Sequence, residues 1–155
     1  MTQPFPDLGI EARRLPGVLP AWHAELESGV LRGVVEKARA QRARLLALWA
    51  SDETPRGAGY TLHVALALRA GLAWLSVPLE REHPRYPGIA DLFPAASRMQ
   101  RAAYDLLGVH AQEHADQRKW LRHAAWPGGV FPLRKDFDAA APAQAGEDRY
   151  PFVRV

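Results

Sequence analysis

Two histidines and a glutamate in the second half of the chain have the types and spacing of a metal site. His110, Glu113 and His114 follow the order H-x-x-E-H, in which two imidazoles can bind zinc while the carboxylate acts as the general base of a hydrolase. That chemistry requires both histidines on one face of a helix and a third ligand from elsewhere in the chain. The meaning of so short a motif therefore depends on the elements around it.

The surroundings of the motif argue against zinc. Gly108 is typical of a helix end, which places the motif at or beyond that end rather than inside the helix. The only glutamate after Glu113 is Glu147, which lies in an Ala/Pro-rich tail, and His123 has a different spacing. We therefore interpret the motif as a surface loop and predict no metal there, while a zinc hydrolase using the motif stays open as an alternative. The sequence has no G-x-S-x-G, P-loop or dinucleotide-binding glycine motif, so we predict no cofactor and no catalytic residue in this chain. The remaining histidines lie on separate predicted elements and indicate no cluster: His23, His63 and His83.

The composition describes one domain without thiol chemistry. Of the 155 residues, 48% are hydrophobic and 24% are charged, values typical of a globular domain with a single core. The absence of cysteine excludes disulfides, thiolate metal sites and a cysteine nucleophile. A net charge of only +3 with dispersed basic residues predicts no nucleic-acid partner. With no apolar leader and no apolar window long enough for a membrane span, we expect a cytoplasmic, soluble chain.

The distribution of prolines and apolar residues predicts three regions. Residues 1–20 contain four prolines and few periodic apolar positions, which favours an extended arm. Residues 21–126 are predicted to form an α+β domain, with a mixed, mainly antiparallel sheet of about four strands and helices packed on it. Residues 127–155 are predicted to be an extended C-terminal tail.

Apolar periodicity predicts the elements of this domain. Ser28 is the predicted cap of an amphipathic helix that ends near Ala40. A second helix is predicted to begin at Pro94 and to end just before Gly108. The strands are predicted at WHAELE, ARLLALWA, YTLHVALAL and LAWLSVPL. The last two strands are joined by a tight turn, so they should form a hairpin.

Four sequence blocks together carry a resemblance to a known family. They are, in chain order, DLFPAA, RAAYDLLG, HADQR and PLRKDF. In this order and at this spacing the sequence resembles the thirty-kilodalton subunit family of respiratory complex I, the NADH-quinone oxidoreductase. It is similar as well to the N-terminal domain of large subunits in membrane-bound nickel–iron hydrogenases such as formate hydrogenlyase. The resemblance covers roughly Trp22 to Phe137.

The sequence also departs from the pattern of that family. Gln100 and Ala102 stand where the family usually has two glutamates, and Glu113 and Ala115 replace a glycine and a proline. We therefore expect the ion pairs of a typical member to be changed on this helix face. The resemblance implies either an excised N-terminal domain of a longer subunit or a stand-alone homologue.

The resemblance implies an accessory role in a redox complex. The protein would be a cofactor-free subunit or domain that docks on the catalytic large subunit in the hydrophilic arm, beside an iron–sulfur subunit. The parent complex would carry iron–sulfur clusters, with quinone or a nickel–iron centre, and the protein would be peripheral on the cytoplasmic face of the inner membrane. The residues that match the family blocks form the predicted partner interface: Arg101, Tyr104, Asp105, His114, Asp116, Arg118, Arg134, Lys135, Asp136 and Phe137.

The C-terminal tail is the segment that most needs a partner surface. The tail has few apolar residues with which to form a core of its own. We therefore expect the chain from residue 109 to residue 137, which includes the start of this tail, to wrap the large subunit. The charged residues of PLRKDF would make charge-assisted hydrogen bonds there. Trp120 and Trp126 are equally consistent with a satellite core under the tail and with exposed anchors. A tail packed on its own domain would count against docking, and a generic binding module stays a third alternative.

Overall fold

The structure, a computed structural model, describes residues 2–5, 8–122 and 126–140. The elements are β1 (Thr2–Pro4), β2 (Glu11–Arg14), β3 (Ala21–Glu25), α1 (Ser28–Ala40), β4 (Arg44–Asp52), a 3-10 turn (Thr54–Arg56), β5 (Tyr60–Leu68), β6 (Gly71–Leu79), β7 (Arg85–Pro87), α2 (Ala96–Leu107) and β8 (His110–Gln112). No helix among these described residues is long and apolar enough to cross a membrane.

The main sheet has six strands in the order β1-β2-β3-β6-β5-β4. All neighbouring strands are antiparallel except β3 and β6, which are parallel. The predicted hairpin is confirmed, since Leu68 pairs with Gly71 at the turn between β5 and β6. A separate parallel pair is formed by β7 and β8. The predicted α+β class with a mixed, mainly antiparallel sheet is therefore confirmed.

The core lies between one face of this sheet and the two helices. Alternate residues of β5 are buried, which are Leu62, Val64 and Leu66, because side chains of a strand point to opposite faces. On α1 the buried positions follow helical spacing: Leu31, Val34, Val35 and Ala38. Burying each of the larger side chains contributes roughly 1.5–3 kcal/mol. Helix α2 packs against β4, and the candidate site lies at the end of this helix.

The N-terminal segment differs from the predicted arm. Its described part supplies β1 and β2, so the sheet has six strands rather than about four. Phe5, Leu8 and Ala12 are buried, and the ring of Phe5 meets Trp22 edge to face, with 4.9 Å between centroids. The core thus begins before residue 21, because these apolar side chains fold back onto β3.

Both predicted helices are present, but the predicted cap of α1 is wrong whereas the predicted end of α2 is correct. Helix α1 begins at Ser28 itself, its N-cap is Glu27, and its first turn has no side-chain cap, so the predicted Ser28 cap is wrong. Gly108 ends α2 as predicted, in the left-handed region at φ 76°, and its N–H donates to the Tyr104 carbonyl. Glycine adopts that conformation without the steric cost of a Cβ.

Candidate functional site

A buried carboxylate fastens the loop after β8 onto helix α2. Asp105, on the last turn of α2, is 1% exposed. Its Oδ2 accepts hydrogen bonds from the backbone N–H groups of Trp120, Leu121 and Arg122, at 2.6, 2.6 and 3.2 Å. Its Oδ1 lies 3.9 Å from Nε of Arg122, a side chain that is itself 5% exposed. Because charge-assisted hydrogen bonds to a buried carboxylate are strong, this contact fixes the course of the loop.

Arg101 fastens the same loop one turn earlier on α2. Its Nη1 donates to Oδ2 of Asp116 at 3.0 Å. Its Nε and Nη2 donate to the carbonyls of Arg118 and Lys119, at 2.6 and 3.1 Å. Hydrogen bonds from the Arg118 side chain, helped by the charges of both arginines, hold the pKa of Asp116 well below its usual range. Asp116 therefore stays ionised in the folded protein over the whole neutral range.

Two arginines hold the tail against the end of α2. The guanidinium of Arg122 lies 4.6 Å from the ring centroid of Phe131, and that of Arg134 lies 4.2 Å from the same centroid. Arg134 Nε also donates to the Leu107 carbonyl at 2.9 Å, and Leu133 N–H donates to the Leu106 carbonyl at 3.0 Å. Cation–π contacts thus hold both guanidinium groups against Phe131, and Arg134 also has a carbonyl acceptor within the protein.

A further hydrogen bond connects the tail to strand β4. The backbone N–H of Lys135 donates to Oδ2 of Asp52 at 2.8 Å. Burial alone would raise the pKa of Asp52, but hydrogen bonds from Thr54 and Lys135 outweigh that effect and lower it. Residues 130–137 therefore pack on their own domain, contrary to the prediction that this segment is free to wrap a partner.

Large apolar side chains remain exposed around this fastened structure. They are Tyr104 at 40%, Trp120 at 38%, Leu121 at 50% and Leu133 at 56% exposure. Tyr104 is on α2, Trp120 and Leu121 are on the loop that Asp105 holds, and Leu133 is bonded to the last turn of α2. Exposed apolar groups on a rigid support, bordered by charged residues, are typical of protein-binding surfaces. We name these four residues the apolar rim.

Comparison with known proteins identifies the family. Residues 24–143 match the family model described as respiratory-chain NADH dehydrogenase, 30 Kd subunit. The protein belongs to this family. It is 35% identical over 158 aligned positions to the C/D subunit of NADH-quinone oxidoreductase from Rhodopseudomonas palustris (strain BisA53), across 96% of this sequence and 24% of that relative. The sequence thus spans about a quarter of the length of this relative.

Two more comparisons show similarity to subunits of other complexes. Formate hydrogenlyase subunit 5 of Escherichia coli (strain K12) is 30% identical over 95 residues, which are 59% of this sequence and 17% of that protein. The solved structure of the membrane-bound sulfane sulfur reductase, an archaeal respiratory membrane complex, includes a protein with the same fold. It aligns with a TM-score of 0.71 and 22% identity, over 84% of this sequence and 79% of that one. The resemblance to both complex I and hydrogenase subunits is confirmed.

The structure of this 30 Kd family member separates the two histidines of the zinc motif. His110 is on β8, and Glu113 is in a left-handed turn with φ 56°, so His110 and His114 do not share a helical face. The predicted loop is in part the strand β8. The described residues contain no group of three or more His, Asp or Glu side chains able to hold a metal ion. Both residues weighed as third ligands, His123 and Glu147, lie outside the described residues.

The predicted interface residues fall into two groups. Asp105 was predicted at a partner interface, and this is corrected, because its carboxylate is buried and occupied within the protein. Arg101 and Arg134 are likewise engaged by their own domain. The remaining predicted residues are at least partly exposed: Tyr104, His114, Asp116, Arg118, Lys135, Asp136 and Phe137. Trp126 is partly exposed and packs edge to face on Phe137, at 5.8 Å.

Sequence reasoning missed two residues that shape this site. Arg122 is the buried partner of Asp105, and Asp52 is the acceptor for the tail. Arg122 follows Trp120 and Leu121 in a stretch that otherwise resembles a solvated loop, and no local pattern marks it. For Asp52, the signal was its place at the end of a predicted strand, where polar side chains accept backbone N–H groups.

A second cluster, also missed, lies on the sheet face opposite the helices. Strand pairing brings His23 and His63 to either side of Ser76, whose Oγ lies 2.9 Å from Nε2 of the first and 3.0 Å from Nδ1 of the second. Trp74 Nε1 donates to Nδ1 of His63 at 3.1 Å, and the ring of Trp49 stacks on His63 at 5.0 Å. The prediction that these histidines form no cluster is wrong, because their strands are far apart in sequence.

This histidine cluster predicts that acid destabilises the protein. Burial lowers the pKa of both His23 and His63 below 6.5, and an imidazolium Nδ1 cannot accept the N–H of Trp74. The unfolded chain binds these protons first as the pH falls. Their contribution to the free energy of unfolding is therefore complete above pH 6.5 and is lost as the pH falls from there through the folded pKa.

Urea unfolding at pH 7.5, 6.5 and 5.5 checks this expectation. The His63→Gln variant should lose less stability between pH 7.5 and 5.5 than the wild type does. His83→Gln, which changes an exposed loop histidine, serves as the control and should keep the wild-type dependence. Equal pH dependence in His63→Gln and the wild type would contradict the assignment.

Proposed function

We propose that this protein is a non-catalytic docking subunit, or domain of a longer subunit, in a complex I-like or membrane-bound hydrogenase-type complex. It binds the catalytic large subunit through α2, the loop 116–122 and the segment 130–137. The observation that carries this proposal is the apolar rim, four exposed side chains on a support fixed by buried hydrogen bonds. Family membership supports it, since the relatives are named as subunits of NADH-quinone oxidoreductase and formate hydrogenlyase.

The packing of residues 130–137 on their own domain counts against docking by a free tail, so the docking surface proposed here is instead preformed. A free tail would lose conformational entropy on binding, whereas residues 130–137 are already held by Asp52 and the end of α2. The surface therefore offers its apolar groups without a folding step. The exposed charges beside it, Arg118, Lys135 and Asp136, orient the partner during encounter more than they add affinity.

The cofactors and the membrane location that we propose are those of the whole complex and not of this domain by itself. Its partners are the large catalytic subunit, or the following domain of the same chain, and a neighbouring iron–sulfur subunit. Iron–sulfur clusters, with quinone or a nickel–iron centre, belong to those partners, and the protein is peripheral on the cytoplasmic face of the membrane. His110 and His114 do not share a helical face, which disfavours the zinc-hydrolase alternative. The third alternative, a generic binding module, would bind another protein in place of the large subunit.

Removing one side chain of the apolar rim is expected to weaken docking. Trp120→Ala, co-expressed with the large subunit of its own complex, should reduce affinity by about 30-fold, because buried tryptophans at interface centres contribute 2 kcal/mol or more. Co-purification followed by a titration of the purified subunits measures the effect.

A tryptophan on the opposite sheet face provides the matched control. Trp49 has nearly the same exposure as Trp120, 40% against 38%, so Trp49→Ala should leave affinity within about twofold of the wild type. Circular dichroism confirms that both variants fold. Equal affinities for the two variants, or no co-purification by the wild type, would refute the proposed docking surface.

A further inference from the structure

A cavity of about 140 Å³ lies between α2, β8 and the loop that follows it. Its walls include Gln100 and Tyr104 from α2, His110 from β8, and Arg118 from the loop. At about 30 Å³ per water molecule, it has room for a ligand of a few non-hydrogen atoms. The cavity lies beside the apolar rim, because Tyr104 belongs to both.

Gln100, a residue of the cavity wall, has an unused hydrogen-bond donor. The residue is 1% exposed, and its Oε1 accepts the N–H of Ile89 at 2.8 Å. That bond fixes which end of the amide is oxygen and which is nitrogen. The nitrogen, Nε2, is buried, and it has no hydrogen-bond partner among the described residues. Buried amide groups are almost always bonded, so an unpartnered one indicates a missing acceptor.

His110 supplies a second unpartnered atom in the same cavity. Its Nδ1 is buried without a hydrogen-bond partner in the described part of the protein. The ring is held in place by Tyr104, which packs on it edge to face at 5.6 Å, and by the backbone N–H of His110, which donates to the Pro84 carbonyl at 2.8 Å. A neutral imidazole donates from the ring nitrogen that carries the proton, and our proposal takes Nδ1 as that nitrogen.

The charges around the cavity select the class of ligand. Asp105 is occupied by three backbone N–H groups, and Asp116 is occupied by Arg101 and Arg118. The acidic groups in the wall therefore have their partners, whereas two donors do not. Two donors on one small cavity suit two acceptor oxygens on one carbon, and an ionised acceptor forms stronger hydrogen bonds than a neutral carbonyl does.

We propose that this cavity binds a single carboxylate group, which accepts hydrogen bonds from Nε2 of Gln100 and Nδ1 of His110. The carboxylate comes either from a small free acid or from an aspartate or glutamate side chain of the docked large subunit. The second source rests on the proposed function, whereas the first does not.

Titration of the isolated protein with sodium acetate, at ionic strength held constant with sodium chloride, tests the proposal. The ring resonances of His110 should shift with saturation at a midpoint on the order of 10 mM, as expected for so small a ligand. Gln100→Glu keeps the acceptor for Ile89 but replaces the donor by an anion, so it should weaken acetate binding at least tenfold. Gln112→Glu adds the same charge at an exposed position of β8 and should bind as the wild type does.

A variant of the second donor keeps the test decisive if Gln100→Glu is poorly folded. His110→Phe removes Nδ1 while keeping a ring against Tyr104, and the Gln100 side-chain amide resonance then reports binding, which should again weaken at least tenfold. A wild-type titration without saturation means that the cavity holds water alone and overturns the proposal. Unchanged acetate binding in either donor variant overturns it as well.

Large-subunit affinity distinguishes the two sources. If Gln100→Glu lowers that affinity at least tenfold and Gln112→Glu does not, the carboxylate is a side chain of the partner. If neither variant changes the affinity for the large subunit while Gln100→Glu loses acetate binding, the ligand is a free acid. Because the acetate titration needs no partner, failure of docking through the apolar rim would leave the cavity proposal standing.

Discussion

Replacing Asp105 by asparagine is expected to lower the free energy of unfolding by about 3 kcal/mol. If the amide oxygen takes the place of Oδ2 and keeps the three backbone N–H groups, the amide nitrogen faces Nε of Arg122. If the amide is reversed, its N–H groups oppose three donors. Either orientation leaves the buried guanidinium of Arg122 without its counter-charge, a situation far costlier than the loss of a surface pair.

Urea unfolding and hydrogen exchange measure this effect. For a protein of this size the expected loss lowers the melting temperature by roughly 6–12 °C, and the amides of Trp120 and Leu121 should exchange faster. Asp91→Asn is the matched control, since Asp91 bonds to Arg32 but its side chain is 58% exposed, and it should cost about 1 kcal/mol or less. A cost in Asp105→Asn no greater than in Asp91→Asn would contradict the role given to this carboxylate.

Hydrophobic periodicity in the sequence was sufficient to predict the central part of the fold. Strand β5 alternates buried and less buried side chains from Tyr60 to Leu66, and β6 does so from Ala73 to Leu79 except at the buried Ser76. A tight turn fixes the pairing of the two strands, so sequence and structure agree. Helix α2 was predicted from its spacing and from Gly108, which is the left-handed residue at its end. Local rules work at these places because the interactions that decide the structure are local.

The N-terminal strands could not be predicted because their stability is not local. Strands β1 and β2 are short, and prolines interrupt their surroundings, so no alternation is visible. They become strands because β2 pairs with β3 and because Phe5 packs on Trp22. The histidine cluster has the same cause, since His23 on β3 and His63 on β5 meet at Ser76 of β6, the strand that lies between them in the sheet.

The candidate site shows how a correct motif can be given a wrong physical role. The family blocks located Arg101, Asp105 and Arg134, but sequence alone could not tell a partner contact from a contact within the protein. The loop returns to α2 fifteen residues after Asp105, and only the structure shows that its N–H groups meet that carboxylate. The polar residues of the motif build the support, and we propose that the exposed apolar side chains beside them form the docking surface.

This division of roles makes Gly108 a sensitive position, and Gly108→Ala is expected to cost about 2 kcal/mol. Part of the cost comes from placing a Cβ on a residue with φ 76°. The rest arises because that Cβ would lie 2.5 Å from Nη2 of Arg134 and 2.8 Å from Cζ of Phe131. Both side chains must move away, so the Leu133 amide should lose protection from hydrogen exchange, and affinity for the large subunit should fall with it.

Gly57→Ala isolates the contribution of packing from that of backbone conformation. Gly57 has nearly the same backbone angle, φ 81°, but no atom of the described residues beyond its two chain neighbours lies within 4 Å of the Cβ position. Alanine there should therefore cost about 1 kcal/mol and leave exchange of Leu133 unchanged. The difference between the two variants measures what the tail gains from the end of α2. Equal costs, with Leu133 equally protected in both, would mean that the tail is held by Asp52 alone and that Arg134 and Phe131 do not fix the apolar rim.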